Sequence, residues 1–469
     1  MRTIIERLFQ FDKNQTTRKQ ELVGGITMFL ASMYILFVNG VILSETGMPQ
    51  QGIFIATAIT AAICTLFGAL YANLPFVIAP GMSANAFFAY AICLGIGYRW
   101  QEALAITFIA GILHVVIMLT PARKALITAI PEHIGIAASA GIGMFVARVA
   151  VDNSGLFTST PGGADGLPVA QVPFAGFNPT NLIPIAAFAI LVILLAIEHR
   201  SNEKFAALPI SILITAFLFI PFNLSRYESV TIFAPGVVDE FKAIFVSFFG
   251  RPGMRTIFST PAKLMQTILL ILLMTMTDIL NSIGTLLGIG YNESANLIDR
   301  EEMELLKTKQ TASRIDRGLI ANAFGGIVSS LFGSSSATIY LESTTGILIG
   351  GRTGYAGMVA GILFLCCIPV TGLFRLIPIE AAAPAMLYTG CSMMSRMRNI
   401  NWSRFEEALP AFVVIALVPL TNSILDGICI GLICYIVISL FLSERKRLSP
   451  TLYVIAFAYI ITKIFAVAM

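Results

Sequence analysis

The chain is built from apolar runs of about the length that crosses a lipid bilayer, and nothing else in it constrains the fold as strongly. A spanning helix needs roughly 20 mostly apolar residues. Such runs lie at about 22–43, 52–73, 76–95, 101–121, 133–151, 181–198 and 205–221. After a polar interval at 222–263 they resume at about 264–290, 315–333, 336–349, 355–374, 379–395, 405–422 and 424–442. A last apolar stretch, 451–468, either spans or lies along the membrane. Lipid offers the backbone no hydrogen-bond partner, so segments of this kind are helices. Only 12% of the 469 residues are charged, about half the share of a soluble domain. A soluble enzyme and a secreted disulfide scaffold are both excluded. The expected fold is an all-α polytopic membrane protein.

The charges sit mainly at the ends of the runs. Their sum, +4 from 30 basic and 26 acidic residues, is too mild to attract nucleic acid. Residues 1–21 carry Arg2, Arg7, Lys13, Arg18 and Lys19 with no early apolar core, which describes a cytoplasmic N-terminal segment and not a signal peptide. Arg123, Lys124, Arg200, Lys204, the cluster at 300–317, Arg352, Arg396, Arg398, Arg404 and Arg445–Arg447 then all fall on the cytoplasmic side. The 222–263 interval is external, against the grain of Arg226, Arg251, Arg255 and Lys263, and its aromatic-rich piece Phe241–Phe249 suits an interface. The seven cysteines lie in apolar stretches and read as packing. His114, His133 and His199 are too scattered for a metal site. No phosphate-binding loop, nucleophile elbow or zinc-protease motif occurs, so neither an enzyme nor a cofactor is expected.

Two sets of seven spans imply halves of opposite orientation, the mark of an inverted-repeat transporter. Leu74-Pro75 opens the third run and Gly333-Ser334-Ser335-Ser336 the tenth; Ile130-Pro131 opens the fifth and Ile377-Pro378 the twelfth. The third and tenth runs are short, and each begins with a helix-poor stretch, Pro75–Gly81 and Ser334–Tyr340, the second including Thr338. Extended backbone at membrane depth survives only when paired or lining a cavity. Two such stretches at matching places are expected to pair as short antiparallel strands. The half-helices after them then aim N–H groups at a ligand.

Few ionisable residues lie deep in the runs: Asp278 in the eighth, Glu342 in the tenth and Asp426 in the fourteenth. A buried charge in the membrane costs several kcal/mol unless it faces protein or water. Asp278, Asn281, Ser282 and Thr285 recur at helical spacing and form one polar stripe. Glu342 opens the tenth half-helix beside Ser343, where an acid is electrostatically favoured. The expected pocket lies between the eighth and tenth spans. Asp426 reads as a helix cap and Arg148 as a snorkelling arginine.

From about residue 18 to the end, the chain resembles the bacterial and fungal purine nucleobase permeases of the azaguanine/hypoxanthine–guanine type, in the nucleobase–ascorbate transporter superfamily. The strings that carry this are Gly25–Leu30 with Tyr34 and Val38-Asn39, Ala79–Tyr90, Tyr340–Ser343 with Gly350–Gly354, Ala383–Tyr388 and Pro419-Leu420-Thr421. The resemblance implies 14 spans in two inverted repeats. Spans 1–4 and 8–11 (22–121 and 264–374) would form a substrate-carrying core, and spans 5–7 and 12–14 (133–221 and 379–442) a gate or scaffold that often dimerises. It implies proton-coupled uptake of a purine base across the inner membrane by an elevator-like motion. Its substrate positions fall on Glu342, on Asn281, and on Met82, Ser83, Ala84 and Asn85, with Ser343 and Thr338 beside them. Phe87 and Tyr34 are candidates for stacking, and Asp278 and Glu342 for carrying the proton. The chain departs from the family where the eighth span usually reads Phe-Asp-Thr-x-Gly-Thr, because Asn281 replaces the acid. An amide offers a donor and an acceptor but takes no coupling proton. The alternative reading is therefore a carrier of a modified or deazapurine-like heterocycle, or of an anion. A smaller departure is Gly40, where the family commonly has proline.

Overall fold

The computed structural model describes residues 4–120, 131–154, 179–201, 207–218, 236–250, 252–290, 314–340, 342–374, 379–421 and 424–442, with short pieces between 452 and 460. Arg123, Lys124, Lys204, Arg226, Arg251, Arg445–Arg447, Ile130, Ile377-Pro378, the basic residues at 300–313 and most of 451–468 lie outside them.

Among the described residues the apolar runs are helices apart from the third and tenth, as their lack of outside hydrogen-bond partners requires. A short α1 (Ile4–Phe9) precedes α2 (Arg18–Ser32), which starts at a capping box between Thr17 and Gln20. The first run breaks at Met33-Tyr34 before α3 (Ile35–Ser44). The helix α4 (Gln50–Ala72) ends on Asn73 in the left-handed conformation (φ 52°). Arg18–Ser44, Gln50–Ala72 and α6 (Trp100–Leu119) are long and apolar enough to cross a membrane, and shorter apolar helices accompany them.

The third run has the interruption expected of it. It is a strand β1 (Ile78–Pro80), a five-residue α5 (Met82–Ala86) and a π-helical stretch Phe87–Gly95. The tenth holds β2 (Ala337–Ile339) and, further on, a seven-residue helix Ser343–Ile349. The strands pair antiparallel, with Ile78 opposite Ile339, Ala79 opposite Thr338 and Pro80 opposite Ala337. Two bonds extend the ladder: Tyr340 N–H donates to the Val77 carbonyl (2.9 Å) and Gly81 N–H to the Ser336 carbonyl (2.9 Å).

A two-stranded ribbon leaves outward-facing backbone groups that need partners, and neighbouring helices supply them. On α4, the Thr65 hydroxyl accepts from Ile78 N–H (3.0 Å) and donates to its carbonyl (3.1 Å). On the helix Arg314–Phe332, Asn322 Oδ1 accepts from Ile339 N–H (2.8 Å).

The remaining elements are α7 (Glu132–Asn153), α8 (Pro179–Ser201), α9 (Ala207–Leu218), α10 (Val237–Ile244), α11 (Pro261–Gly290), α12 (Arg314–Phe332), α13 (Ser343–Ile349), α14 (Gly354–Cys366), α15 (Ile379–Met394), α16 (Phe405–Thr421) and α17 (Ile424–Phe441). Around the strands, α4 packs on α12 and α14, α6 on α12 and α11, and α2 on α13 and α14. A second group joins α7 to α15 and α16, α15 to α8, and α16 to α17. Small residues bring backbones together. A side chain on Gly111 of α6 would meet Ile327 N at 2.7 Å, and one on Gly143 of α7 would meet the Gly390 carbonyl at 2.6 Å.

The aromatic piece Phe241–Phe249 packs into the helices. Phe248 is fully buried, and Phe241 stacks on Phe332 at 6.4 Å. Beside it Glu240 accepts from the N–H groups of Gln51 and Gly52 (both 3.2 Å) and so caps α4. Asp426, in the first turn of α17, accepts a hydrogen bond from the Tyr459 hydroxyl (3.0 Å). Arg148 donates from its guanidinium to the Pro419 carbonyl (2.7 Å).

Candidate functional site

The pairing of β1 with β2 determines which side chains meet. Gly81 continues β1 in extended conformation and α5 begins at once, which presents Met82 and Ser83 beside the ribbon. On the other strand Thr338 lies in β2, while Glu342 stands at the N-cap of α13. Between them is a cavity of about 120 Å³, well above the roughly 10–15 Å³ that a single water needs. Met82, Ser83, Thr338 and Glu342 all line it, and Asn281 and Thr285 of α11 close another wall.

Most of its polar groups are held in place. Glu342 Oε1 accepts from the Tyr34 hydroxyl (2.9 Å), so the break between α2 and α3 delivers an orienting donor to the carboxylate. Asn281 Nδ2 donates to Ser83 Oγ (2.7 Å), tying the eighth run to the third. The Tyr340 hydroxyl donates to the Pro80 carbonyl, and its ring lies 6.5 Å from that of Tyr34. The Thr338 hydroxyl is buried without a hydrogen-bond partner. The cavity thus sets a fixed carboxylate and a fixed amide around a small space with aromatic rings at its edge. Such a set suits a flat solute with N–H and carbonyl groups along its rim.

Other expected residues stand just outside the cavity. Asn85 is fully buried and its Oδ1 accepts from the Ser335 hydroxyl. Ser343 Oγ accepts from Val77 N–H (3.0 Å), which fastens β1 to α13. Ala84 is buried in α5, and Phe87 packs in the core. The polar stripe of α11 divides between two tasks. Asn281 and Thr285 face the cavity. Ser282 donates to the Asp278 carbonyl (2.5 Å) and accepts from Asn322, the residue that caps β2. Asp278 is buried behind the ribbon, its carboxyl next to the Ser336 hydroxyl. It lies one helical turn from the cavity without lining it.

Ser139 of α7 and Ser392 and Met393 of α15 complete the lining. Nothing in the sequence marks them, since each is an ordinary residue within an apolar run. Tyr34, expected to stack on the substrate, also orients Glu342, and Tyr340 was legible only as part of a longer string. Among the described residues no cluster of His, Cys, Asp or Glu could hold a metal ion.

The sequence pattern of the Permease family matches residues 19–430. The guanine/hypoxanthine permease PbuG of Bacillus subtilis (strain 168) is 31% identical, over 98% of this chain and 100% of its own. The adenine permease AdeP of Escherichia coli (strain K12) is 29% identical, over 98% of this chain and 96% of its own. Among solved structures, the transmembrane domain of the cyanobacterial bicarbonate transporter BicA superposes with a TM-score of 0.60 at 17% identity, covering 86% of this chain and 96% of that one. At that identity the likeness concerns the fold alone.

Proposed function

The chain belongs to the Permease family, a multi-pass membrane protein and not an enzyme, and from that premise we propose that it is a secondary transporter that imports a purine nucleobase together with protons. The observation that carries the reading is the meeting of Glu342 and Asn281 in one cavity at the strand pair. A purine presents a ring N–H edge beside carbonyl or amine groups. Ionised Glu342 accepts from N–H donors in a charge-assisted bond. Asn281 reads a carbonyl/N–H pair, with Ser83 fixing its orientation. The backbone at Met82 and Ser83 frames the ring beside Tyr34. The purine-permease names of the full-length relatives favour this reading over a carrier of anions or of other heterocycles.

The architecture we infer has 14 spans in two inverted repeats of seven. Its support is the way packing contacts recur when each span is exchanged for the one seven later. The helix α4 packs on α14 as α12 packs on α6, and α2 packs on α14 as α11 packs on α6. The pairs β1–β2, α4–α12 and α7–α15 map onto themselves. Even the ties at the helix ends have counterparts. Glu21 of α2 accepts from Arg352, Thr353 and Ala356 N–H at the start of α14, and Lys263 of α11 pairs with Glu102 at the start of α6 (2.6 Å). Spans 1–4 and 8–11 then form the moving core (22–121 and 264–374), and spans 5–7 and 12–14 (133–221 and 379–442) the gate, a candidate for homodimer contacts. The N-terminus is cytoplasmic and the membrane is the inner one.

Coupling follows from the cost of a buried charge. Protonation of Asp278 or Glu342 from outside removes that charge and lets the loaded core slide past the gate. Asn281 takes no part in the proton's path. The test is uptake of radiolabelled adenine, guanine, hypoxanthine, xanthine and uracil at two pH values, in cells lacking their own permeases. Glu342→Ala is expected to abolish uptake while the protein still reaches the membrane; full transport by that variant would refute the reading.

A further inference from the structure

Beside the main cavity, and sharing only Asn281 and Ser139 with it, is a second chamber of about 30 Å³. At ~10–15 Å³ for each water-sized sphere, it has room for two or three such spheres, or about two of the larger carbon groups. Its walls are apolar: Leu273 and Met276 from α11, Ile134 and Ala138 from α7, and Ile428 and Leu432 from α17. Of its three polar side chains, Thr277 donates its hydroxyl to the Leu273 carbonyl (2.8 Å), Asn281 donates to Ser83 (2.7 Å), and Ser139 stands at the junction with the main cavity. A wall so largely apolar favours an alkyl group over water.

We propose that this chamber is a subsite for a small alkyl substituent on a purine, and that a purine so substituted blocks the carrier instead of crossing with it; this rests on the nucleobase reading above. Glu342, Tyr34 and Met82 line only the main cavity. A ring anchored at Glu342 and reaching Asn281 therefore directs substituents on its far edge into the chamber. The identity of residue 281 matters here. An ionised acid at that place would border the chamber with a charge whose desolvation opposes an alkyl group, whereas the neutral amide does not. The blocking follows from the origin of the walls. One comes from α11 and the others from α7 and α17, elements on opposite sides of the sliding boundary. The main cavity also borders α7 and α15, but the polar groups that hold the base (Glu342, Asn281 and Ser83) all belong to the core and travel with it. An alkyl group instead owes much of its burial to α7 and α17 and loses it on sliding, so its binding energy favours one state and opposes the exchange.

The experiment measures inhibition of labelled adenine, guanine or hypoxanthine uptake by the methyl, ethyl and propyl derivatives of the same base. Accumulation of the labelled derivatives is followed in parallel. Each buried methylene is expected to tighten inhibition about fourfold, up to ethyl and no further, with no accumulation of the derivative. Ala138→Leu fills the chamber and should erase the gain from alkylation while uptake of the parent base persists. Ile428→Ala enlarges it and should move the optimum to propyl, which keeps the idea testable where Ala138→Leu does not fold. Inhibition that weakens with every alkyl group, or accumulation of the derivative at the parent's rate, overturns the proposal and leaves the nucleobase reading standing. A protein that takes up none of the unsubstituted purines overturns that reading and the subsite with it.

Discussion

Glu342→Gln is the substitution that isolates the charge from the shape of the site. Glutamine has the length of glutamate, and its carbonyl still accepts from the Tyr34 hydroxyl, so the 2.9 Å bond that orients the side chain survives. What is lost is the ionised acceptor for the substrate's ring N–H groups. A hydrogen bond to a charged group contributes about 1.5–3 kcal/mol and a neutral one about 0.5–1.5. With one N–H bound the loss is about 1–1.5 kcal/mol; with two, where the glutamine NH2 faces the second N–H and cannot accept from it, it is at least about 2–3 kcal/mol. The latter raises KM by about 30- to 150-fold, since 1.4 kcal/mol is tenfold. The assay is the initial rate of labelled-base uptake over a concentration series, normalised to the tagged protein in the membrane fraction. A KM within threefold of the parent would refute the argument, because no ionised acceptor in contact with substrate is that dispensable. A fall in the membrane-inserted amount with KM unchanged would place Glu342 in folding instead.

Asp278→Asn keeps the size of a carboxyl buried next to Ser336 and removes its ability to release a proton; uptake should cease, or lose its dependence on external pH. An unchanged pH profile removes Asp278 from the mechanism. Asn322→Ala leaves the Ile339 N–H of the ribbon without its 2.8 Å acceptor, at a cost of about 1–3 kcal/mol for a buried donor; the purified protein should melt at lower temperature, and an equal melting point would show the cap to be dispensable. Ser139→Cys, in a background without the exposed Cys366 and Cys391, should react with a small thiol reagent and be protected by bound base. Labelling that ignores the base would take Ser139 out of the cavity.

The sequence by itself determined the class of protein. Lipid offers the backbone no partners, so long apolar runs have to be helices. The same rule made the two runs that break helical habit conspicuous, and it required their extended backbone to be paired. It also exposed Asp278 and Glu342, because charge deep in an apolar run is costly enough to need a reason. Other features depended on tertiary structure. Periodicity placed Asp278, Asn281, Ser282 and Thr285 on one stripe, but an α-helix carries such a stripe over a wide arc with several neighbours. The strand pair and Asn322 take Ser282, while the cavity takes Asn281 and Thr285. Asn85 and Ser343, polar and next to the expected site, are used to fasten the ribbon. Ser139, Ser392 and Met393 were illegible because a serine or methionine in an apolar run has no local signature. The bond between Asn281 and Ser83 joins residues 198 positions apart. Local chemistry marks each of them as polar within an apolar run, but only the packing of α11 against α5 and β2 makes them neighbours.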